Sequence, residues 1–220
     1  MDEQITLDEW KNAYLFFNNK AAADPFSLNY TIIKKLLSTW VDIIIYFFNI
    51  TLDLGIILVT WKTLNIFMIL KPNKYNYNIR NTRPIALLDS FRKVVTKIME
   101  NRLSALLFKY NILRGLNYCD LKGELTEPPI HLVNSVIEDV LQHNKELWIL
   151  TQDMVKAYDS VCLDSLKLSL SHIDLSKNFI TWICAIFTHR QIAIITSFRL
   201  SPQFTGLDEV DQGDSISPLL

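Results

Sequence analysis

TLNIFMILKPNKYNYNIRNTRPIALLDSFRKVVTKIMENRL, residues 63–103, is the stretch that decides the architecture. Its first eight residues, Thr63 to Leu70, form a short apolar run that ends at Lys71-Pro72. That length and that proline stop predict a buried strand. The next segment, KPNKYNYNIRNTRP, carries two prolines and four asparagines and predicts a turn-rich loop. After Pro84, IALLD returns as an extended segment, and Asp89 or Ser90 then caps a helix running to about Tyr110. Val95, Ile98, Arg102 and Leu106 recur at helical spacing within it. Strand, basic loop, strand and long helix in that order make the chain α+β.

Upstream, residues 3–20 and 26–39 read as two helices separated at Asp24-Pro25, with Asp24 as the cap of the second and Pro25 in its first turn. A strongly apolar helix follows over residues 40–54 and stops near Gly55. Downstream, Gly115 to Pro129 reads as loop and His131 to His143 as an amphipathic helix with Val133, Val136, Ile137, Val140 and Leu141 on one face. Leu147 to Leu150 predicts a short apolar strand leading into Thr151-Gln152-Asp153. Helices are expected near residues 163–172 and 177–189, a strand over Gln191 to Phe198, and a hairpin partner within Phe204 to Val210. The last segment, QGDSISPLL, opens a helix at Ser217-Pro218.

Half of the 220 residues are apolar and a fifth are charged, enough for a packed core and against disorder. With five glycines, a glycine-rich phosphate loop has little to be built from. A formal net charge of −1 does not by itself suggest nucleic acid. The charge is uneven, however. Residues 71–109 hold nine Lys/Arg against Asp89 and Glu100, while the first thirty residues hold five acidic side chains against Lys11 and Lys20. A local basic stretch can neutralise phosphates, and it can equally be a solvated helix face.

Cys119, Cys162 and Cys184 are odd in number and show no close pairing. They read as small buried hydrophobes with reduced thiols, which places the chain inside the cell, in cytoplasm or nucleus. The four histidines have no metal-ligand spacing. Val41 to Leu70 is the one membrane candidate. Asp42, Asp53 and Lys62 cut it into uncharged runs too short to span a bilayer, so no stable insertion is expected.

The informative chemistry lies in TQDMVKAYDS, residues 151–160. A carboxylate just past the end of a buried strand is held firmly while its oxygens face solvent. Such a group suits Mg²⁺, which takes one or two carboxylates and completes its shell from water and phosphate. Asp153 stands at that position. Asp159, six residues on, reads as a cap of the following segment. A strand-end Asp is also a common turn residue, and the motif alone is weak.

Three separated stretches resemble reverse transcriptases of non-LTR retrotransposons. WKTLNIFMILKPNKY leading to NTRPIALLDSFRKVVTKIMENRL is similar to the fingers strand, its basic loop and the helix after it. LTQDMVKAYDSV is similar to the first catalytic motif, and GLDEVDQGDSISPLL to the motif with Gln-Gly, Ser-Pro and two leucines that precedes the second. The Asn49, Gly55 and Trp61-Lys62 pattern agrees with the segment leading into that domain. The resemblance covers about residues 40–220. It leaves the first forty residues unmatched, and residues 1–39 read as a helical N-terminal extension that packs on the fingers. It also implies a partial polymerase domain over 40–220: fingers-like 40–140, the palm strand with the first catalytic motif 141–160, and fingers return with the start of a palm helix 161–220.

The resemblance further implies roles for particular residues. Asp153 would ligate Mg²⁺, with the Met154 carbonyl helping to hold the ion. Tyr158 would block a ribose 2′-hydroxyl, although its ring could equally be a core aromatic. Gln212 and Gly213 would line the nucleotide pocket and let the template base approach. Lys71, Lys74 and Arg83 would fold over the incoming triphosphate, Arg83 foremost because it sits in Arg-Pro-Ile and makes bidentate phosphate contacts. The partners implied are an RNA template, a DNA primer and deoxynucleoside triphosphates.

The family reaction is in-line phosphoryl transfer over two metals bridged by carboxylates from separate motifs. The second such motif, aromatic-Ala-Asp-Asp, and the thumb are expected after Gln212, and the sequence ends eight residues beyond it. Asp159 and Asp214 are not expected to substitute. The expectation is therefore a reverse transcriptase fragment, a nucleotidyltransferase by resemblance, that does not polymerise alone. Two further readings stand beside it: a non-catalytic protein that binds RNA or a partner through its basic surface, and a small membrane-associated protein using residues 41–70.

Overall fold

The computed structural model describes the chain apart from residues 2, 73–75, 77, 114–125, 155 and 208. Helix α1 (Leu7–Phe16) opens it, with Thr6 and Glu9 forming a reciprocal capping box. The helix is shorter than residues 3–20 because Phe17 is already extended. A larger correction concerns residues 26–39. Within residues 26–37 the one α-helical segment is Tyr30–Ile33 (α2), whose cap is Asn29, and the next helix starts at Ser38. Asp24 caps no helix. Its carboxylate accepts from the backbone N–H of Phe26, Leu28 and, across the fold, Ser90.

Helix α3 (Ser38–Leu54) ends where expected, because Gly55 takes the left-handed conformation with φ +62° that closes a helix C-terminus. Strand β1 (Thr63–Leu70) pairs antiparallel with β2 (Thr82–Leu87), and α4 (Ser90–Lys109) follows with Asp89 accepting from the N–H groups of Phe91 and Arg92. Helix α5 is Glu127–Gln142. It begins before Pro129, since prolines lack the N–H that the first turn leaves unused, so 128 and 129 belong to the helix rather than to a loop. Helices α6 (Leu163–His172) and α7 (Lys177–Phe187) lie close to their expected spans. Strand β3 (Gln191–Ile194) pairs parallel to β1, and β4 (Phe204–Thr205) pairs antiparallel to β3. Both are shorter than expected. The sheet order is β2-β1-β3-β4. After Ile216 the chain makes a 3-10 turn, not an α-helix, over Ser217–Leu219.

Helices α1, α3, α4, α6 and α7 bury a common apolar core in which Trp10, Val94, Val95, Met99, Trp182, Ile186 and Phe187 are fully enclosed. Each such side chain contributes roughly 1.5–3 kcal/mol relative to exposure. The first 39 residues are part of this core: Trp10 packs on Phe48 and Phe91, and Ile5 N–H donates to Asn49 Oδ1 at 2.6 Å. A smaller cluster of Leu64, Ala86, Leu88 and Ile192 lies on the sheet. Among the described residues no helix is long and apolar enough to cross a membrane.

Around α5 one sequence expectation holds and one fails. The amphipathic helix exists, but none of its residues is buried. Leu147 to Leu150 forms no strand. Trp148 and Leu150 are 89 % and 94 % exposed, because no other strand of the sheet runs beside them. An apolar tetrapeptide specifies a strand only when a partner supplies the ladder. The cysteines differ from expectation too: Cys162 is exposed, Cys184 is half-buried, and Cys119 lies outside the described residues.

Candidate functional site

Two of the sequence motifs meet at the free edge of β2. The Ala86 N–H, directed away from β1, donates to the carbonyl of Gln212 at 2.9 Å. Gly213 follows with φ +124°, and a Cβ there would lie 2.9 Å from the Ala86 carbonyl oxygen. The turn therefore needs glycine for its backbone angle and for its close approach. Arg83 is exposed on the same strand, about 10 Å from Ala86 at the usual rise per residue. Lys71, one residue beyond β1, is half-buried, and its Nζ donates to the Arg80 carbonyl at 3.1 Å. Lys74 lies outside the described residues. The fold thus joins Arg83, Lys71 and the Gln212-Gly213 turn through one hairpin.

Asp153 and Met154 are exposed on backbone that is neither helix nor strand, so the firm strand-end mounting expected for the carboxylate is not formed. Tyr158 is half-buried and packs against the main core, within a 3-10 turn over Tyr158–Ser160. Asp159 caps no helix: the cap position of α6 is Cys162, which makes no side-chain capping bond. Backbone N–H groups of Ser165 and Asp164 instead lower the Cys162 thiol pKa. The turn approaches Glu209, whose carboxyl pKa is raised first by burial and then by the charge of Asp159. Among the described residues no three His, Cys, Asp or Glu side chains gather to hold a metal ion. Asp153 is chemically suited to Mg²⁺, but the described residues do not fit a two-metal cradle.

Beneath the Gln212-Gly213 turn lies a buried ion cluster that sequence reasoning missed. Arg92, from the first turn of α4, is fully enclosed. Its Nη2 donates to Asp211 Oδ2 at 2.7 Å and to Asp214 Oδ2 at 2.8 Å, its Nε reaches the same Asp214 oxygen at 3.1 Å, and its Nη1 donates to the Trp61 carbonyl at 2.8 Å. Arg190, between α7 and β3, donates to the other oxygen of Asp211 and to the Leu207 carbonyl, and stands 3.9 Å from Glu209. The guanidinium of Arg92 also lies over the Phe187 ring. Burial alone would lower the Arg92 pKa, but Asp214 and Asp211 outweigh it and hold the pKa above its ordinary value. Arg92 and Arg190 balance the enclosed Asp211 and Asp214, with the part-exposed Glu209 at the rim, so the fully buried charges cancel, the condition under which buried charge is tolerated. The available signal was an arginine one helical turn before Val95 and Thr96 on a face that is otherwise buried.

Around this cluster, Lys93 has its pKa lowered by burial against the pull of Asp214, and Asp89 has its carboxyl raised by burial against the backbone donors of Arg92 and Phe91. Much of the basic stretch is thus internally committed. Besides Arg92, Arg102 pairs with Glu9 at 2.7 Å and donates to three backbone carbonyls of the N-terminal segment, and Lys97 pairs with Glu100 at 2.6 Å. The arginines left exposed in it are Arg80 and Arg83.

No family model matches the chain. Two curated proteins of Drosophila melanogaster are similar to it. One, the RNA-directed DNA polymerase from mobile element jockey, is 31 % identical over 99 residues, 45 % of this chain and 11 % of that protein. The other, the probable RNA-directed DNA polymerase from transposon BS, is 29 % identical over 106 residues, 48 % of this chain and 12 % of that protein. Over about half its length the chain is similar to RNA-directed DNA polymerases of mobile elements, and it spans about a tenth of the length of these relatives.

Proposed function

We propose that this chain supplies the fingers and first palm motifs of a reverse transcriptase, for RNA-templated synthesis of DNA, and does not polymerise by itself. The observation that carries the reading is the similarity of about half the chain to the two mobile-element polymerases. The meeting of the Arg83 strand with the Gln212-Gly213 turn supports it, since a basic side chain beside a close-packed glycine turn suits a triphosphate and a base. In this reading residues 1–39 extend the fingers, 40–140 are fingers-like, 141–160 carry the first palm motif, and 161–220 return to the fingers and begin the palm helix.

Arg83, Lys71 and Lys74 then contact the triphosphate, Gln212 and Gly213 the nucleotide, and Tyr158 the sugar. Asp153 and the Met154 carbonyl are the contribution of this chain to Mg²⁺ binding, and Mg²⁺ supplies charge neutralisation at the phosphates when bound. Independent activity is not expected, because two-metal transfer requires carboxylates from separate motifs around the ions and the resemblance assigns a metal-binding carboxylate to Asp153 alone. Purified protein given Mg²⁺, an RNA template, a DNA primer and deoxynucleotides should not extend the primer. Extension that disappears with Asp153→Ala would overturn the claim of inactivity. Photo-crosslinking of a deoxynucleoside triphosphate to the protein, weakened by Arg83→Ala, tests the nucleotide assignment.

A second reading, RNA binding without catalysis, draws on the exposed Arg80 and Arg83 at the hairpin end. Such binding would survive Asp153→Ala, weaken with Arg83→Ala and fall steeply with salt. Binding indifferent to both salt and Arg83 would exclude it.

A further inference from the structure

We propose that Arg92 is a positioning residue that locks the Gln212-Gly213 turn onto strand β2. The aspartates it holds, Asp211 and Asp214, flank that turn directly, one on each side. Nothing in the resemblance assigns Arg92, Asp211 or Asp214 a role in nucleotide recognition.

The geometry is that of a three-point mount. Helix α4 holds both flanks of the turn through one guanidinium, the junction before β3 holds Asp211 a second time through Arg190, and β2 holds the middle through the Ala86 N–H. The same guanidinium reaches the Trp61 carbonyl just before β1, so the turn is referenced to the start of the sheet as well as to its edge. This arrangement needs the planar fork of arginine. The three donors of a lysine radiate from a single nitrogen, which cannot stand at once where Nε, Nη1 and Nη2 of Arg92 reach their separate acceptors.

The cluster is not arranged for maximal satisfaction, which argues that position is what it secures. Asp214 is fully enclosed, yet among the described residues its Oδ1 meets no hydrogen-bond partner, and neither does the buried Arg190 Nε. An apolar filling of the same space would avoid both losses, and buried ion clusters commonly gain nothing in stability over such a filling. What apolar side chains cannot do is fix a turn by directional bonds on both of its flanks. The registry of Gly213 with Ala86 leaves little slack, because a group the size of a methyl already has no room there.

The functional weight of the lock rests on the assignment of Gln212 and Gly213 to the nucleotide site. The test is read without nucleotide, so it can fail or succeed separately from that assignment. Amide hydrogen exchange at Ala86 reports the bond to Gln212 directly, and amides inside α7 report the fold as a whole. Two variants are compared with the unaltered protein: Arg92→Lys, and the apolar set Arg92→Met and Arg190→Met with Asp211→Leu and Asp214→Leu, which leaves no buried cation unpaired. The apolar set preserves burial and removes the directional bonds, so a merely structural cluster would leave Ala86 as protected as before. We expect Ala86 to exchange roughly 30-fold faster in Arg92→Lys, and in the apolar set if it folds, with α7 amides unchanged. Ala86 protection that is unchanged in Arg92→Lys, or that falls only in step with α7, overturns the proposal. So does an apolar set that folds and keeps Ala86 protected.

Discussion

Helix α4 and helix α5 carry comparable apolar sequence and meet opposite fates. In α4, ten residues are buried, including a full arginine side chain, and the helix is tied to α1, to the turn at Gln212 and to the sheet. In α5 none is buried, and the apolar residues that follow it, Leu147 to Leu150, stand in solvent. The difference lies in what surrounds each helix. The face of α4 is covered by α1, α7 and the segment 210–216, whereas the matching stripe on α5 has no cover among the described residues. An apolar stripe is a demand for burial, and only neighbours can meet it. The residues of the reverse transcriptase resemblance divide the same way: Arg83, Gln212 and Gly213 sit on the anchored side, Asp153 and Met154 on the exposed one.

The comparison can be broken most sharply at Arg92. Arg92→Ala should cost about 3–5 kcal/mol in urea denaturation, because it leaves two buried carboxylates short of their countercharge. A cost below about 1 kcal/mol would mean the cluster is open to water. Next comes a matched pair. Leu103→Ala in α4 should cost about 2–5 kcal/mol, and Leu141→Ala in α5 should stay within about 0.5 kcal/mol. Equal losses at the two sites would erase the contrast between the helices. Gly213→Ala should cost about 1–3 kcal/mol, from positive φ and contact with the Ala86 carbonyl, and should raise exchange at Ala86.

A smaller effect is expected at Glu9, where the hydrogen bond from Arg102 holds the carboxyl below its ordinary 4.5 in spite of partial burial. A depressed folded-state value means that this stabilisation is complete above 4.5 and is lost as pH falls through the folded value. Thermal unfolding followed from about pH 6 to about pH 3 should show a shallower acid limb in Glu9→Gln than in the unaltered protein. Identical limbs would show that the pair contributes nothing. The smallest effect belongs to Asp153→Asn, which should shift stability by less than about 0.5 kcal/mol because the side chain is exposed. A larger loss would mean that Asp153 is held in a way its exposure does not reveal.

Much of the frame was legible in residues 63–103. The apolar run before Lys71-Pro72 and the Asp89 cap act locally, and β1 and α4 appear where those signals fall, whereas β2 begins at Thr82, inside the expected loop, because pairing with β1 extends it back past Pro84. Gly55 marks the end of α3 for the same reason, since the left-handed angle belongs to the residue itself. The misses share the opposite character. Asp24 looked like a helix cap, but its carboxylate is used by Ser90, sixty-six residues away, which no local pattern records. Residues 147–150 looked like a strand, but a strand exists only through a partner.

For the candidate site the division is similar. The sequence by itself singled out the motif residues Arg83, Asp153, Gln212 and Gly213, because motif chemistry is a property of short segments, whereas the positive φ of Gly213 emerged only in the fold. Tertiary structure alone decided that Gln212 seats on Ala86, that Arg92 is a buried partner of Asp211 and Asp214 and not a surface cation, and that Asp153 stands exposed. Those outcomes depend on which long-range neighbours remove a charge from water and which leave it there, and that is settled by packing across the whole chain.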